Sequence, residues 1–335
     1  MKKNVVTVLA LGLLLVQHNQ EIKSNPGLSA EDKIRIEEAF RLADSVEDRI
    51  WPNWSNAPFA VMLITNDYEY LIDHPHATNN FDTLGFDTEL QHLVLYRKRL
   101  FPTNLLSTFP AINDIPTIVV GQSTNTAVTS STAWVVTLLH EHFHQYQQSQ
   151  PDYFASTNAL GLSGGDETGM WMLNYPFPYD SVEVDSAYAV MSQSLLNALT
   201  CSRRDRRKYL KHFLTKLTEF RRRLPADDFK YFSFQCWQEG VARYTELRVA
   251  QLASGHFTPD KMFTGLEDYR PFNEVADSIH AKILQGLAYP FLAASRRVAF
   301  YALGAGEALL LDTVRPGWKK DYLHTRFRLD TLFSE

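Results

Sequence analysis

The chain has 335 residues, 45% of them hydrophobic, enough for one large core or two modest ones. The formal net charge of −5, with no basic stripe interleaved with aromatics, argues against nucleic acid as a partner. Aromatic residues make up 13% of the chain, which suits a packed globular domain with an apolar cleft, and no fixed-period repeat or low-complexity tract interrupts it.

At the amino terminus Lys2 and Lys3 precede an apolar run, Val5 to Val16. The run is shorter than the roughly 20 residues a helix needs to span a bilayer, so residues 1–20 read as a secretory signal peptide. No A-x-A pattern lies near Val16 to Gln20, which keeps an uncleaved signal anchor open, and no cysteine follows to carry a lipid. From about residue 27 onward the chain is expected to be periplasmic or secreted, held at a membrane only if the signal stays uncleaved. Nothing in the sequence bears on oligomeric state.

Ser29 to Ile50 has the pattern of an amphipathic helix, with Ser29 and Asp32 as its cap and Ile36, Phe40, Leu42 and Val46 among its apolar positions. Phe59–Thr65 and Glu69–Ile72 read as two strands joined by a hairpin at Asn66-Asp67. His74 and His76 follow beside Pro75 and read as loop histidines in preference to a second metal site. Phe81 to Pro116 is mixed and turn-rich, with a strand or short helix at Leu90–Leu100. Thr117–Gly121 is the clearest strand, either an edge strand that pairs with an extended peptide or an ordinary core strand.

Ala133–Gln148 is a strong helix pattern. A loop with Gly161, Gly164, Gly165 and Gly169 follows, without the spacing of a phosphate loop, and Asn174–Tyr179 is expected to line a cleft. Ser181–Thr200 reads as a helix that carries Glu183 and Asp185 at its start. Asp205–Leu224 is a basic helix whose arginines fit a solvated or ion-paired face. Cys201 and Cys236 are either a disulfide or two buried thiols. Phe232–Ala253, Phe272–Leu284 and Tyr289–Val314 are helical, and Gly304 and Gly306 predict close helix packing.

The chemistry is concentrated in His140-Glu141-His142-Phe143-His144, an H-E-x-x-H within a buried-type helix. At about 100° per residue, His144 lies about 40° from His140 and one turn along, so both rings can share one metal. Glu141, at about 100°, flanks that face and suits a general base. His142, at about 200°, points away and reads as a packed or hydrogen-bonded histidine.

A hydrolytic zinc usually takes three protein ligands and keeps one position for water. No third histidine follows in an H-x-x-G-x-x-H pattern, so the third ligand is expected to be a carboxylate from another helix. Glu239 is the first candidate, because an unpaired charge in its apolar stretch is costly. The small Gly240 and Ala242 beside it are expected to let its helix approach that of His140. Arg243 and Glu246 share its face and either pair with each other or orient the ligands. Glu183, with Asp185 behind it, is the rival.

The two blocks H-E-H-F-H-Q and W-Q-E-G-V-A-R-Y-T-E resemble the gluzincin metallopeptidases, in particular their aminopeptidase N-like and glycyl-aminopeptidase-like members. The interval between the blocks is longer here than in those members, and their G-x-M-E-N-type segment is absent. The resemblance implies an α+β, mostly helical, zincin-like catalytic domain over residues 27–335. In it a small β-sheet of the mixed part, 27–150, packs on the zinc helix, and residues 151–335 form the helical part. It implies Zn2+ held by His140, His144 and Glu239, with Glu141 as the base in hydrolysis of a peptide or protein substrate. A second electrophile is expected, with Tyr175, Tyr244 and Tyr289 as candidates. The alternatives are an exported zinc hydrolase of non-peptide amides and an inactive zinc-containing binding protein; the presence of Glu141 speaks against the latter.

Overall fold

The computed structural model describes residues 26–76, 79–128 and 130–333; the predicted signal segment lies outside them. Helix α1 (Ala30–Ile50) opens the described chain. The Ser29 Oγ accepts the Asp32 N–H at 3.1 Å and donates to the Asp32 carboxylate at 2.7 Å, so the predicted cap is in place. Ile36, Leu42 and Val46, spaced along one face, are fully buried.

A six-stranded sheet follows: β1 (Val61–Ile64), β2 (Tyr68–Ile72), β3 (Asp82–Asp87), β4 (His92–Lys98), β5 (Leu106–Ile112) and β6 (Ile115–Gly121). Its order is β3-β4-β2-β1-β6-β5. Only β1 and β6 run parallel, which makes the sheet mixed. The β1–β2 hairpin forms as expected, closed by the Thr65 N–H on the Tyr68 carbonyl at 2.8 Å. Leu90–Leu100 yields a strand, β4. The stretch that reads as turn-rich supplies β3 and β5 as well. Pro110 lies within β5, where an edge strand tolerates it because one side carries no ladder. The strand at Thr117–Gly121 is therefore an interior strand, flanked by β1 and β5. The edge beside the helix that carries His140 and His144 belongs to β5, which has no clear period of two in the sequence.

Helix α2 (Ser131–Gln148) begins where Ser130 Oγ accepts the Ala133 N–H at 3.2 Å. Trp134 Nε1 donates to the Gly121 carbonyl at 3.1 Å, and Gln145 Nε2 donates to the Ala60 and Pro116 carbonyls, both at 2.9 Å. These contacts run α2 antiparallel to β6 and parallel to β5, with its axis over the sheet.

The remaining chain is helical: α3 (Tyr153–Asn158), α4 (Trp171–Asn174), α5 (Val182–Thr200), α6 (Arg206–Arg221), α7 (Ala226–Gln235), α8 (Val241–His256), α9 (Lys261–Thr264), α10 (Phe272–Ala288), α11 (Leu292–Ser295), α12 (Ala299–Val314) and α13 (Lys319–Tyr322). The molecule is thus α+β; the larger apolar core reaches from Leu28 to Leu332, and a smaller one on the other face of the sheet holds Met62, Ile64, Leu71 and Val119. No helix among the described residues is long and apolar enough to cross a membrane. Cys201 and Cys236 are both free thiols, so no disulfide joins α5 to the Glu239 region. Arg206, at the start of the basic helix, donates to the Cys201 carbonyl, and Arg223, just past its end, pairs with Glu183 at 2.7 Å.

Helices α7 and α8 are joined by a π turn, Cys236–Gly240. Such a turn accommodates one extra residue and rotates the helix beyond it, here at the carboxylate expected to bind metal. Gly240 faces Gly304 of α12 and not α2, which corrects the expectation that Gly240 lets its helix approach that of His140. A Cβ on Gly240 would lie 2.5 Å from the Gly304 Cα, and one on Gly304 would lie 2.3 Å from the Cys236 carbonyl oxygen. Backbone stands at both contacts, so neither neighbour has a side chain that can swing away. Gly304→Ala is expected to cost about 1–3 kcal/mol of stability. It should also displace the turn that carries Glu239, and weaken any metal binding that depends on that carboxylate. Unchanged denaturation midpoint and zinc affinity in this variant would contradict the assignment.

Candidate metal centre

His140, His144 and Glu239 converge, with one potential ligand atom from each lying within 4.8 Å of the others. The Glu239 Oε2 stands 3.4 Å from His144 Nε2 and 3.8 Å from His140 Nε2. The two rings are 5.0 Å apart between centroids. This is the pairing that i, i+4 spacing on one helix produces.

The other nitrogen of each ring is held from behind. His144 Nδ1 lies 2.7 Å from Gln147 Oε1. The Gln147 amide nitrogen donates to the Gln238 carbonyl at 3.1 Å and to the Tyr322 hydroxyl at 2.6 Å. Its Oε1 is therefore the acceptor, His144 donates to it through Nδ1, and Nε2 is turned to Glu239. His140 Nδ1 lies 3.3 Å from Glu246 Oε2, and Arg243 donates to the same oxygen. Arg243 and Glu246 thus do both things expected of them: they pair, and they orient a histidine. Carboxylate and amide oxygens in these places fix tautomer and ring orientation for metal ligation.

Charge and burial are matched. Burial opposes a charge on His140, yet hydrogen bonds to Glu239 and Glu246 prevail and push its pKa up to about 9. Burial likewise opposes ionisation of Glu239, but His144 and His140 hold its carboxyl well below the usual carboxylate range. Burial also works against Glu246, and Arg243 and His140 hold it down. The site is thus an ion cluster in which a charge on His140 is balanced by Glu239 and Glu246.

Glu141 stands outside this donor set. Thr108 Oγ1, from β5, lies 2.8 Å from Glu141 Oε2 and 3.0 Å from its carbonyl oxygen. Gln148 Nε2 donates to the Thr108 carbonyl at 3.1 Å. Thr108 therefore ties the edge strand to the carboxylate beside His140 and His144. Nothing in the sequence marks Thr108, because a threonine in a turn-rich stretch carries no distinguishing signal.

The cluster opens on a cleft of about 1760 Å³ that runs along α2 beneath β5. Its walls include α3, α4, α10 and the start of α12. Tyr153 and Tyr301 are the tyrosines that reach it. Tyr153 donates to Gln238 Oε1. Tyr301 accepts from Arg297, whose guanidinium lies 3.6 Å from Glu239 Oε1. Burial, reinforced by the Glu239 charge, raises the Tyr301 pKa well above its usual value, so the phenol stays protonated.

None of the three tyrosines expected as electrophile is at the cleft. Tyr175 donates to Asp228 and stacks on Tyr231, Tyr244 donates to Asp312 in the core, and Tyr289 is exposed. Glu183 is paired with Arg223 on the surface, away from the histidines, and Asp185 accepts the Leu292 N–H. The carboxylate that joins His140 and His144 is therefore Glu239 and not Glu183. His142 is sandwiched between Phe59, at 4.1 Å between ring centroids, and Trp54, at 5.3 Å, with its nitrogens on Gln145 and Glu47. His74 bonds to the His76 and Ile112 carbonyls. Of the predicted cleft aromatics at Asn174–Tyr179, Phe177 and Tyr179 are buried against Phe300 instead.

No family model, no curated protein and no solved structure matches this chain, so the reading of the metal centre rests on its own geometry.

Proposed function

We propose that the chain is an exported, gluzincin-like zinc metallopeptidase of zincin-like architecture that hydrolyses peptide bonds. The observation that carries this reading is the convergence of His140 Nε2, His144 Nε2 and Glu239 with Glu141 beside them and outside the donor set. Two imidazoles and one carboxylate match the donors of hydrolytic zinc sites that keep a position open. Zinc held there supplies Lewis-acid activation of water and polarisation of the scissile carbonyl.

The protein's own groups do the rest. Glu141 takes the proton of the attacking water and returns it to the leaving amine. Thr108 holds the Glu141 carboxylate in one orientation. Thr108→Val is expected to lower kcat about tenfold with KM little changed, and Thr108→Ser to restore it. Equal kcat in the two variants would remove Thr108 from this role. The protonated Tyr301 is the hydroxyl assigned to the charge that develops on the carbonyl oxygen. Tyr301→Phe should cost about 10- to 100-fold in kcat, without loss of bound zinc. Zinc loss with unaltered turnover per bound zinc would make the residue structural.

A peptide substrate is favoured over other amides by the open edge of β5 beside the helix, since an extended chain can add to such an edge. The test is zinc analysis of the signal-free protein together with cleavage of a broad peptide library. One zinc per chain and defined cut sites are expected. One zinc per chain without cleavage of any peptide would overturn the peptidase reading in favour of a binding protein.

A further inference from the structure

The two ends of the cleft differ in kind. The Gly121 N–H donates to the Leu105 carbonyl at 2.8 Å, and Leu106 pairs with Val120. In an antiparallel ladder, residues bonded to the partner strand alternate with residues whose backbone groups face away. Leu105, Ser107 and Phe109 therefore turn to β6, while Leu106, Thr108 and Pro110 turn to the open edge. The hydrogen bond from Gln148 to the Thr108 carbonyl agrees with this assignment.

That bond also has a consequence for pairing. It occupies the Thr108 carbonyl, and Pro110 has no N–H to offer. The Pro110 C=O lies where the register shifts, so the edge groups left for an added strand in unbroken register are the N–H and C=O of Leu106 and the N–H of Thr108. They lie toward the amino-terminal half of α2, where Gly121 meets Trp134. Toward Gln148 the ladder is closed, and its register shifts after Phe109. At that end the opposite wall presents Phe154, Met170 and Leu173, which are 41%, 49% and 44% exposed. Phe154, Met170 and Leu173 thus leave this part of the cleft wall apolar and open to a ligand.

We infer that the cleft recognises its substrate by different chemistry on the two sides of Glu141. A peptide adds as a strand at Leu106 and Thr108, and past Thr108 a bulky apolar side chain is taken up by Phe154, Met170 and Leu173. This deepens the peptidase reading and rests on a peptide as the occupant of the same site. Backbone pairing supplies affinity without sequence preference on one side, and apolar burial supplies preference on the other.

The test uses the full zinc-loaded protein carrying Glu141→Gln and a set of fluorescein-labelled alanine–serine decapeptides, each with one phenylalanine. Single N-methyl amides are placed at every position, and binding is read by anisotropy. Loss of the phenylalanine should weaken binding about tenfold or more. N-methylation should weaken it about five- to tenfold on one side of the phenylalanine and leave it unchanged on the other. Leu173→Asp and, separately, Phe154→Asp should abolish the dependence on phenylalanine and keep the one-sided N-methyl pattern. Equal sensitivity on both sides, no dependence on phenylalanine, or no binding of any peptide overturns the inference. The one-sided pattern in the Glu141→Gln protein, combined with no cleavage of these peptides by the unmutated protein, upholds the inference and overturns the peptidase reading.

Discussion

Glu141→Gln is expected to leave one zinc per chain bound and to reduce peptide hydrolysis by at least about 10²- to 10⁴-fold, the range attributed to a positioned general base. The geometry explains why binding and turnover should separate. His140, His144 and Glu239 converge without Glu141, whose carboxylate lies against Thr108 instead. A glutamine side chain is nearly isosteric and still accepts from the Thr108 hydroxyl, so the helix, the edge strand and the donor set should stay in place. What is lost is the ability to take a proton from water and return it to the leaving nitrogen. Measured zinc content and melting temperature should match those of the unmutated protein. Full hydrolysis by this variant would remove Glu141 from the mechanism, and with it the reason to read the cleft as a peptidase site.

Legibility in the sequence follows how local each signal is. His140, Glu141 and His144 are fixed relative to one another by helix geometry, so five residues suffice to predict that two rings share a face and that His142 does not. Glu239 was identifiable because a carboxylate in an apolar helix needs a partner, although the sequence did not show the π turn that carries it. The neighbour of Gly240 is not legible for a related reason. A small residue signals close approach without naming the neighbour, and here the neighbour is Gly304. Thr108, Gln147 and Tyr301 carry no signal in the sequence because their importance lies in contacts across the fold. Strand β5 was missed because Pro110 and an irregular register erase the period of two by which strands are recognised. The cleft is thus assembled from one element that is legible in sequence and several that become meaningful only beside it.

His144→Ala is expected to abolish zinc binding, and with it any metal-dependent rise in melting temperature. Ligand that binds only the folded state stabilises it by RT ln(1 + [L]/Kd), about 4 kcal/mol at a thousandfold excess over Kd. The pH dependence gives this prediction a second, more discriminating form. Without metal, Glu239 and Glu246 outweigh burial and hold the His140 pKa at about 9, above its unfolded value of 6.5. A raised folded-state pKa contributes stability that is complete below about pH 6.5 and is lost as pH rises through about 9. Zinc requires the same nitrogen unprotonated, so its binding must expel that proton and strengthens over the same interval. Between pH 6.5 and 8 the melting temperature of the metal-free protein should therefore fall while the shift produced by zinc grows. Above that interval Lys319, whose pKa burial lowers to about 8, adds stability with rising pH and obscures the first trend. In His144→Ala the shift produced by zinc should vanish. The decline of the metal-free protein should persist in that variant, because His140 retains Glu246. A zinc-induced shift that stays constant from pH 6.5 to 8, or one that survives in His144→Ala, would rule out these histidines as the metal ligands.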